Sequence, residues 1–357
     1  MNLTMLKMMA MISENLGCRW SRAFVAAATG IVCAALCGGC EKTAVKKEGD
    51  QPKTAAAPMP ATATAQKLVV GFAQIGAESA WRTANTNSIK DEAAARGIDL
   101  RFSDAQNKQE NQIRAIRTFI QQRVDVIAFA PVVETGWEPV LEEAKAANIP
   151  VVLTDREVDV QDQSLYVTFI GADFVEEGRR AAEWLANKTG GKAMIAELQG
   201  TPGAAPAIDR KKGFEEALAK HPGMKIIKSQ AGDFNRAKGK EVYESFLRSP
   251  EGPQITAVFA HNDDMAIGAI QAMQESGVKP GSQVLVVSID GIRDAFQAIL
   301  DGSANCTVEC NPLIGPLLFD TVEKIRGGET IPKRIQTPGD VFDAGNVTAE
   351  VIKQRKY

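Results

Sequence analysis

From Lys67 onward the chain alternates short apolar runs with longer amphipathic stretches. Ile113, Ile116 and Ile120 recur at the spacing of one helix face. Strands that are apolar on both faces and separated by helices predict a parallel sheet that is covered on both sides. About 290 residues of this pattern predict two α/β lobes rather than one oversized sheet. The apolar runs lie at 67–73, 124–130, 149–155, 192–198, 225–229, 255–260 and 283–290.

Polar side chains cluster where these runs end. In sheets of this kind, ligands bind outside the carboxyl ends of the strands. Amides, carboxylates, guanidinium groups and aromatic rings suit a polyhydroxyl ligand, because they offer charge-assisted hydrogen bonds and apolar stacking surfaces. The segments that follow the runs are QIGAESAWR, TDRE, QGTPGAAPAIDR, QAGDFNR, HNDD and DG.

Composition narrows the class of protein. An apolar fraction of 45% and a charged fraction of 24% are typical of a soluble globular protein, and 357 residues allow two ordinary domains. The formal net charge of −3 argues against a nucleic-acid surface. No GxxxxGK[ST], GxSxG or GxGxxG motif occurs in the sequence, so we expect neither an enzyme nor a bound cofactor.

The N-terminus carries the features of an exported protein. Basic residues precede AFVAAATGIVCAALCGG, which ends at residue 39, in the order of a secretory signal peptide. The run ends in LCGGC, which resembles a bacterial lipoprotein box with Cys40 as the lipidated residue, although Cys37 interrupts the usual pattern. An ordinary cleaved signal and an uncleaved anchor are the alternatives. We predict a signal peptide over 1–39 and an exported protein, in the periplasm or on the cell surface, that is anchored to the membrane through Cys40.

The segment that follows the signal differs in composition from the rest of the chain. Residues 40–66 are rich in Ala, Thr, Lys and Pro and poor in large apolar side chains. Such a segment cannot bury a core, so we predict a flexible tether.

Two cysteines remain in the folded part, Cys306 and Cys310 in NCTVEC. On a strand they would stand roughly 13 Å apart, which is too far for a disulfide. We therefore predict two small buried residues. The chain has only two histidines and no recognisable spacing of metal ligands, so we expect no metal site.

The HNDD segment allows several interpretations, of which a binding edge combined with a helix start is favoured. Adjacent acids at the start of a helix diverge, so Asp263 and Asp264 make a poor glycosidase pair. We interpret Asn262 as facing the ligand and Asp263 or Asp264 as the helix cap. Trp137 is interpreted as a packing residue, and the glutamate pairs at 142–143, 176–177 and 215–216 as solvated helix faces.

Six longer segments resemble a known family: ESAWRTANTNSIKDEA, NKQENQIRAIRTFI, APVVETGWEPVLEEAK, ELQGTPGAAPAIDRKKGF, SQAGDFNRAKGKEV and AHNDDMAIGAIQA. They are similar to the galactofuranose-binding members of the ribose-binding-like, type I periplasmic binding proteins, which are receptors of sugar ABC importers. The resemblance implies two Rossmann-like, doubly wound parallel-sheet lobes joined by three hinge segments. The implied lobes are 67–172 with 311–339, and 173–310 with 340–357.

The resemblance also implies nine ligand-binding residues between the lobes. They are Ser79, Trp81, Arg82, Asp155, Arg156, Arg210, Phe234, Asn262 and Asp290. Two positions depart from the family pattern. Cys310 stands where ribose binders have Gln, which counts against ribose and for a furanose, and Phe174 stands near a hinge crossing where the family usually has Asn.

The implied function is that of a monomer that closes on a monosaccharide and delivers it to an ABC permease. Galactofuranose is the implied ligand, with ribose, arabinose and related pentoses or hexoses as alternatives. A sensor whose closed form docks a chemoreceptor or sensor kinase remains a second interpretation. A DNA-binding regulator of the same fold would begin with a basic helix-turn-helix, and here a secretory signal stands in its place.

Overall fold

Residues 67–357, which this computed structural model describes, fold around two sheets. The predicted signal peptide, the predicted tether and Cys40 lie outside the described residues. The strands are β1 Val69–Gln74, β2 Asp99–Asp104, β3 Val126–Phe129, β4 Val151–Thr154, β5 Thr168–Gly171, β6 Lys192–Gln199, β7 Gly223–Ala231, β8 Ala257–Ala260, β9 Leu285–Asp290, β10 Cys306–Glu309, β11 Arg334–Gln336 and β12 Val341–Asp343. The helices are α1 Ala80–Ala95, α2 Gln109–Gln121, α3 Glu138–Ala146, α4 Phe174–Thr189, α5 Ala205–Leu218, α6 Arg236–Leu247, α7 Asp263–Glu275, α8 Arg293–Leu300, α9 Gly315–Arg326 and α10 Ala349–Gln354. None of these helices is long and apolar enough to cross a membrane.

The two sheets define two halves of the described chain. The first half is built on the sheet β11-β5-β4-β3-β1-β2, and the second half on the sheet β12-β10-β9-β8-β6-β7. The strand pairs are parallel except for β10 with β12. The chain passes between the sheets after β5, after β10 and after β11. The predicted fold class, two parallel-sheet lobes with three connecting segments, is confirmed.

Strand β8 shows why the central strands are continuous apolar runs. Ala257 and Phe259 pack with residues of α4 and α5, whereas Val258 and Ala260 pack on the opposite face with residues of α6 and α7. Successive side chains of a strand point to opposite faces, and helices cover both faces here. Every residue of β8 is therefore buried.

The apolar runs did not reveal β2, β5, β10, β11 and β12. Strands β2, β11 and β12 lie at sheet edges and have no fully buried residue, so their sequences mix polar with apolar positions. Strands β5 and β10 are short and are interrupted by Thr, Gly or Glu.

Three single-residue predictions in the core are confirmed. Cys306 and Cys310 are buried free thiols. Trp137 is fully buried and packs on Phe129 with ring centroids 4.9 Å apart. Its indole Nε1–H donates to the carbonyl oxygen of Val133 at 2.6 Å, so its polar atom is satisfied within the first half.

Candidate functional site

A cleft between the two halves gathers all nine residues that the sequence proposed. It contains about 290 Å³ of space that no atom occupies, which includes space open to solvent. The lining comes from segments that follow the carboxyl ends of the strands, which is where an open parallel sheet presents a ligand site. The lining residues are Glu78, Ser79, Trp81, Arg82, Asp155, Arg156, Pro206, Arg210, Phe234, Asn262, Asp290 and Cys310.

The start of helix α1 builds one wall of the cleft. Ser79 is the N-cap, and its Oγ accepts a hydrogen bond from the backbone N–H of Arg82 at 3.1 Å. This cap fixes the first helical turn, which carries Trp81 and Arg82 into the cleft, and both side chains are buried. The Trp81 indole Nε1–H donates to the carbonyl oxygen of Cys310. The guanidinium carbon of Arg82 lies 4.7 Å from the centroid of the Trp81 ring.

Two carboxylates and two guanidinium groups alternate along this wall. Arg82 Nη2 lies 2.6 Å from Asp155 Oδ2, and Arg82 Nε lies 3.0 Å from Glu78 Oε1. Arg156 stands 3.9 Å from Glu78 and 3.8 Å from Asp155 through its nearest nitrogens. Burial acts to lower the pKa of Arg82, but the two carboxylates outweigh it and raise that pKa. Burial and the neighbouring Arg82 lower the pKa of Arg156 to about 10.

Three residues of the site adopt backbone conformations that residues other than glycine rarely adopt. The φ angles are 62° at Asp155, 59° at Phe234 and 132° at Asp290. Each such residue costs on the order of 1–3 kcal/mol and persists only where its surroundings hold it. The Asp155 N–H, for example, donates to the carbonyl oxygen of Ile170 at 2.8 Å. The surrounding structure therefore holds the backbone at these three positions of the site.

Arg210 of helix α5 forms the opposing wall. Its Nε donates to Glu177 Oε2 at 2.8 Å, its Nη1 donates to the carbonyl oxygen of His261 at 2.6 Å, and its Nη2 lies 3.7 Å from Asp290 Oδ1. Burial raises the pKa of Asp290 well above its usual value, although Arg210 opposes the shift. Two of the three guanidinium nitrogens are thus fixed by the protein, and the third faces a lining carboxylate.

Glu177 corrects one interpretation of the sequence. The sequence pattern predicts that it lies on a solvated helix face, yet only 4% of its surface is exposed. Helix α4 turns Glu177 toward α5, where it pairs with Arg210. Burial raises the pKa of Glu177, against the attraction of Arg210. Glu177 therefore supports a lining residue from behind.

The HNDD segment needs a second correction, because Asn262 itself is the helix cap. Asn262 Oδ1 accepts from the N–H of Met265 at 3.0 Å, which begins α7. Its Nδ2 donates to the carbonyl oxygen of Phe234 at 3.1 Å, so Asn262 lines the cleft and also fixes the Phe234 loop. The Asp263 carboxylate is buried and accepts from the hydroxyls of Ser288 and Thr307.

Three polar atoms in the cleft have no hydrogen-bond partner among the described residues. They are Glu78 Oε2, Arg82 Nη1 and Arg156 Nε. Buried polar groups are nearly always paired in folded proteins. These atoms offer one acceptor and two donors, which a ligand carrying hydroxyl groups can satisfy because a hydroxyl both donates and accepts.

Glu78, Pro206 and Cys310 line the cleft but are not among the nine residues proposed as ligand-binding. Glu78 stands directly before Ser79 after β1, so the strand-end rule that singled out its neighbours could have found it. Pro206 in the first turn of α5 carries no comparable chemical signal. Across residues 67–357 no group of His, Cys, Asp and Glu is arranged to hold a metal ion.

A family model described as the periplasmic binding protein domain matches residues 70–315. The chain is 50% identical to the galactofuranose-binding protein YtfQ of Escherichia coli (strain K12) over 84% of this chain and 95% of that protein. It is 52% identical, with a TM-score of 0.78, to the binding component of the arabinose ABC transporter from Shewanella sp. ANA-3 bound to L-arabinofuranose, over 81% and 95% of the chains. The chain is also 55% identical, with a TM-score of 0.77, to a Mycobacterium smegmatis protein in complex with β-D-fucofuranose, over 78% of this chain and 92% of that one.

Proposed function

Because this chain belongs to the periplasmic binding protein family, we propose that it captures a monosaccharide in its furanose form for a bacterial ABC importer. The observation that carries the proposal is the set of three unpaired polar atoms in a cleft between two α/β halves. A monosaccharide presents hydroxyls in several directions and can therefore pair with such atoms.

The charges of the lining favour a neutral ligand. Guanidinium groups and acidic groups line the cleft in equal numbers, so each guanidinium group there has an acidic neighbour. A sugar phosphate or sugar acid would bring an extra negative charge close to the acidic groups Glu78, Asp155 and Asp290, which is costly. The groups are Arg82, Arg156 and Arg210 against Glu78, Asp155 and Asp290.

The aromatic residues supply the apolar contact that hydroxyl recognition lacks. Trp81 comes from the first half and Phe234 from the second, and both rings are buried in the cleft lining. Arg156 stacks over Phe234 at 5.2 Å, which holds that ring in place. We propose that the two rings cover the apolar faces of the sugar ring.

The furanose form is favoured by the relatives. The three relatives described above are associated with galactofuranose, arabinofuranose and fucofuranose. Three different sugars that share a five-membered ring point to ring size as the common requirement. Galactofuranose remains the first choice for this chain, and arabinofuranose the second.

The mechanism we propose is capture by closing. A hinge at the three segments between the sheets, with lobes of 67–172 plus 311–339 and 173–310 plus 340–357, would let the halves part, admit the sugar and close again. No bond of the sugar changes, so the ligand leaves as it entered. The proposed partners are the transmembrane subunits of a permease. The protein acts as a monomer, in the periplasm or on the cell surface, and is anchored by a lipid on Cys40.

The proposal is tested by titrating the purified protein with L-arabinose, D-galactose, D-fucose, D-ribose and D-glucose while tryptophan fluorescence is recorded. We expect a saturable change with arabinose, galactose or fucose and none with glucose, because Trp81 lines the site. Asp155→Asn should weaken binding roughly tenfold or more, since it breaks the charged pair with Arg82.

Asp99→Asn is the matched control, because Asp99 pairs only with Arg101 on an edge strand. It should bind as the unsubstituted protein does. A folded protein that responds to none of the five sugars, or an Asp155→Asn variant of unchanged affinity, would contradict the proposal.

A further inference from the structure

Helix α1 of the first half receives a hydrogen-bond partner from the second half. Ala80 is the first residue of α1, and its N–H donates to Asp264 Oδ2 at 2.7 Å. Asp264 belongs to the first turn of α7, on the other side of the cleft. The first N–H groups of a helix lack partners within it, and a carboxylate there also favours the helix dipole. The contact therefore joins the two halves at a point where α1 needs an acceptor.

Asp264 is held in place for this contact. Its Oδ1 accepts from Arg236 Nε at 2.8 Å, and Arg236 in turn reaches Asp294 at 2.8 Å. Only 4% of the surface of Asp264 is exposed. Both carboxylate oxygens are thus committed, one to a cation of its own half and one to the opposite half.

The segment that Asp264 holds carries the first wall of the cleft. Ser79, Trp81 and Arg82 surround Ala80 in the first turn of α1, and all three line the cleft. Asp264 is absent from that lining. It acts on the cleft through the backbone of Ala80, and the contact is lost whenever the halves separate.

We propose that Asp264 is a positioning residue for ligand binding, which latches the start of α1 to the second half and so slows release of the ligand. This inference rests on the proposed function for the identity of the ligand. It makes a separate claim about a residue outside the cleft, which is why the two can fail separately.

The test deletes the donor of the hydrogen bond and, in a separate variant, weakens its acceptor. Ala80→Pro deletes the donor, and proline is well tolerated at the first position of a helix. Ser79 is already extended, with φ −144° and ψ 163°, as the residue before a proline must be, and Ala80 is exposed. Asp264→Asn keeps the shape of the acceptor and removes its charge.

Stopped-flow dissociation of D-galactose should be roughly tenfold faster in each variant, with a matching rise in Kd and little change in the association rate. The melting temperature of ligand-free Ala80→Pro protein should stay close to that of the unsubstituted protein, which a merely structural role would not allow. The double variant should be no worse than the more affected single variant, because both changes act on the same bond. Asp294→Asn is the control, because it changes a second partner of Arg236 and touches no residue of the first half. It should release galactose at the original rate.

Folded Ala80→Pro protein that releases galactose at the original rate would overturn the proposal, even if Asp264→Asn fails to fold. Effects that add fully in the double variant would also overturn it, as would an Asp294→Asn variant that behaves like Asp264→Asn. If D-galactose does not bind, the same dissociation measurement uses L-arabinose or D-fucose; a folded protein that binds none of these sugars would contradict the proposed function and this inference with it.

Discussion

Phe234 and Gly200 show how one residue shapes the site at the smallest scale. The Phe234 ring lies directly against Gly200, the residue that follows β6. A Cβ atom built on Gly200 would lie 1.9 Å from Phe234 Cζ, far inside contact distance. Glycine is required here because an aromatic wall of the cleft occupies the space that any side chain would take.

Gly200→Ala should therefore push the Phe234 ring into the cleft. We expect sugar affinity to fall roughly tenfold or more, since overpacking typically costs about 1–3 kcal/mol and the ring is the part that can move. The measurement is the fluorescence titration described above. Gly327→Ala is the matched control, because its nearest neighbour lies at 3.4 Å and its φ is −72°. Unchanged sugar affinity in Gly200→Ala would show that the Phe234 ring does not form a wall of the ligand site.

Single residues of the site could be predicted where the strand-end rule and a motif coincide. Asp155 and Arg156 are such a case, since TDRE directly follows a buried run. The roles within HNDD could not be assigned from the sequence. Asn262 and Asp264 both stand near the start of α7 and both can cap a helix, and only the packing directs Asp264 to the helix of the other half.

At the scale of elements, glycines allow helices α4 and α5 to pack at very short range. A Cβ on Gly178 would lie 2.0 Å from the carbonyl oxygen of Arg210, and one on Gly213 would lie 1.8 Å from that of Val175. This close approach brings Glu177 of α4 to Arg210 of α5. The helix pair thus sets the position of one guanidinium of the cleft.

Gly213→Ala should separate the two helices. We expect the free energy of unfolding to fall by about 1–3 kcal/mol and sugar affinity to fall with it, because Arg210 would shift away from Asp290. Chemical denaturation and the sugar titration measure the two effects. Glu216→Ala, on the exposed face of the same helix, should change stability by less than about 0.5 kcal/mol. Equal stability of both variants would refute the role of the glycine contact.

The central strands could be predicted because both of their faces are buried, which removes polar residues from the run. The contact between α4 and α5 could not be predicted, because in the sequence Gly178 and Gly213 indicate only a lower helix propensity. The partner that makes a glycine necessary belongs to a different helix, and a single sequence does not say which helices are neighbours.

At the scale of the whole molecule, acidic residues meet where the two halves come together. The Glu134 N–H of the first half donates to the carbonyl oxygen of Gly203 of the second half at 3.0 Å. The half-buried Glu134 carboxyl is influenced by the negative charges of Asp209 in α5 and of Asp159 and Glu157, which follow β4. The positive charge of Lys212 partly offsets the negative charge of Asp209, and Arg334 forms an ion pair with Glu157. Burial, then Asp209 and its neighbours, raise the pKa of Glu134 to about 7.

Closing should therefore be favoured by protonation of Glu134. A carboxyl whose pKa is higher in the closed form than in the open form takes up a proton on closing, so affinity rises as the pH falls from about 7 toward the usual glutamate value of 4.5. We expect a severalfold tightening between about pH 8 and about pH 5.5, limited because solvent screens this partly exposed group. Isothermal titration calorimetry at both pH values measures it.

Glu134→Gln should abolish that dependence, and Glu142→Gln on the exposed face of α3 should preserve it. An affinity that weakens as the pH falls, or a dependence that survives in Glu134→Gln, would contradict the assignment. The cross-cleft contacts of Glu134 were beyond sequence reasoning, because they depend on how the two halves meet.

The central claim is that the cleft selects a neutral five-membered sugar ring. The most direct measurement is calorimetric titration with two isomers of anhydrogalactitol, one locked as a furanose ring and the other as a pyranose ring. Both are uncharged and have the same composition, so only ring size and the resulting hydroxyl directions differ. We predict saturable, one-to-one binding of the furanose isomer and none of the pyranose isomer at the same concentration. Equal or tighter binding of the pyranose isomer would contradict the claim.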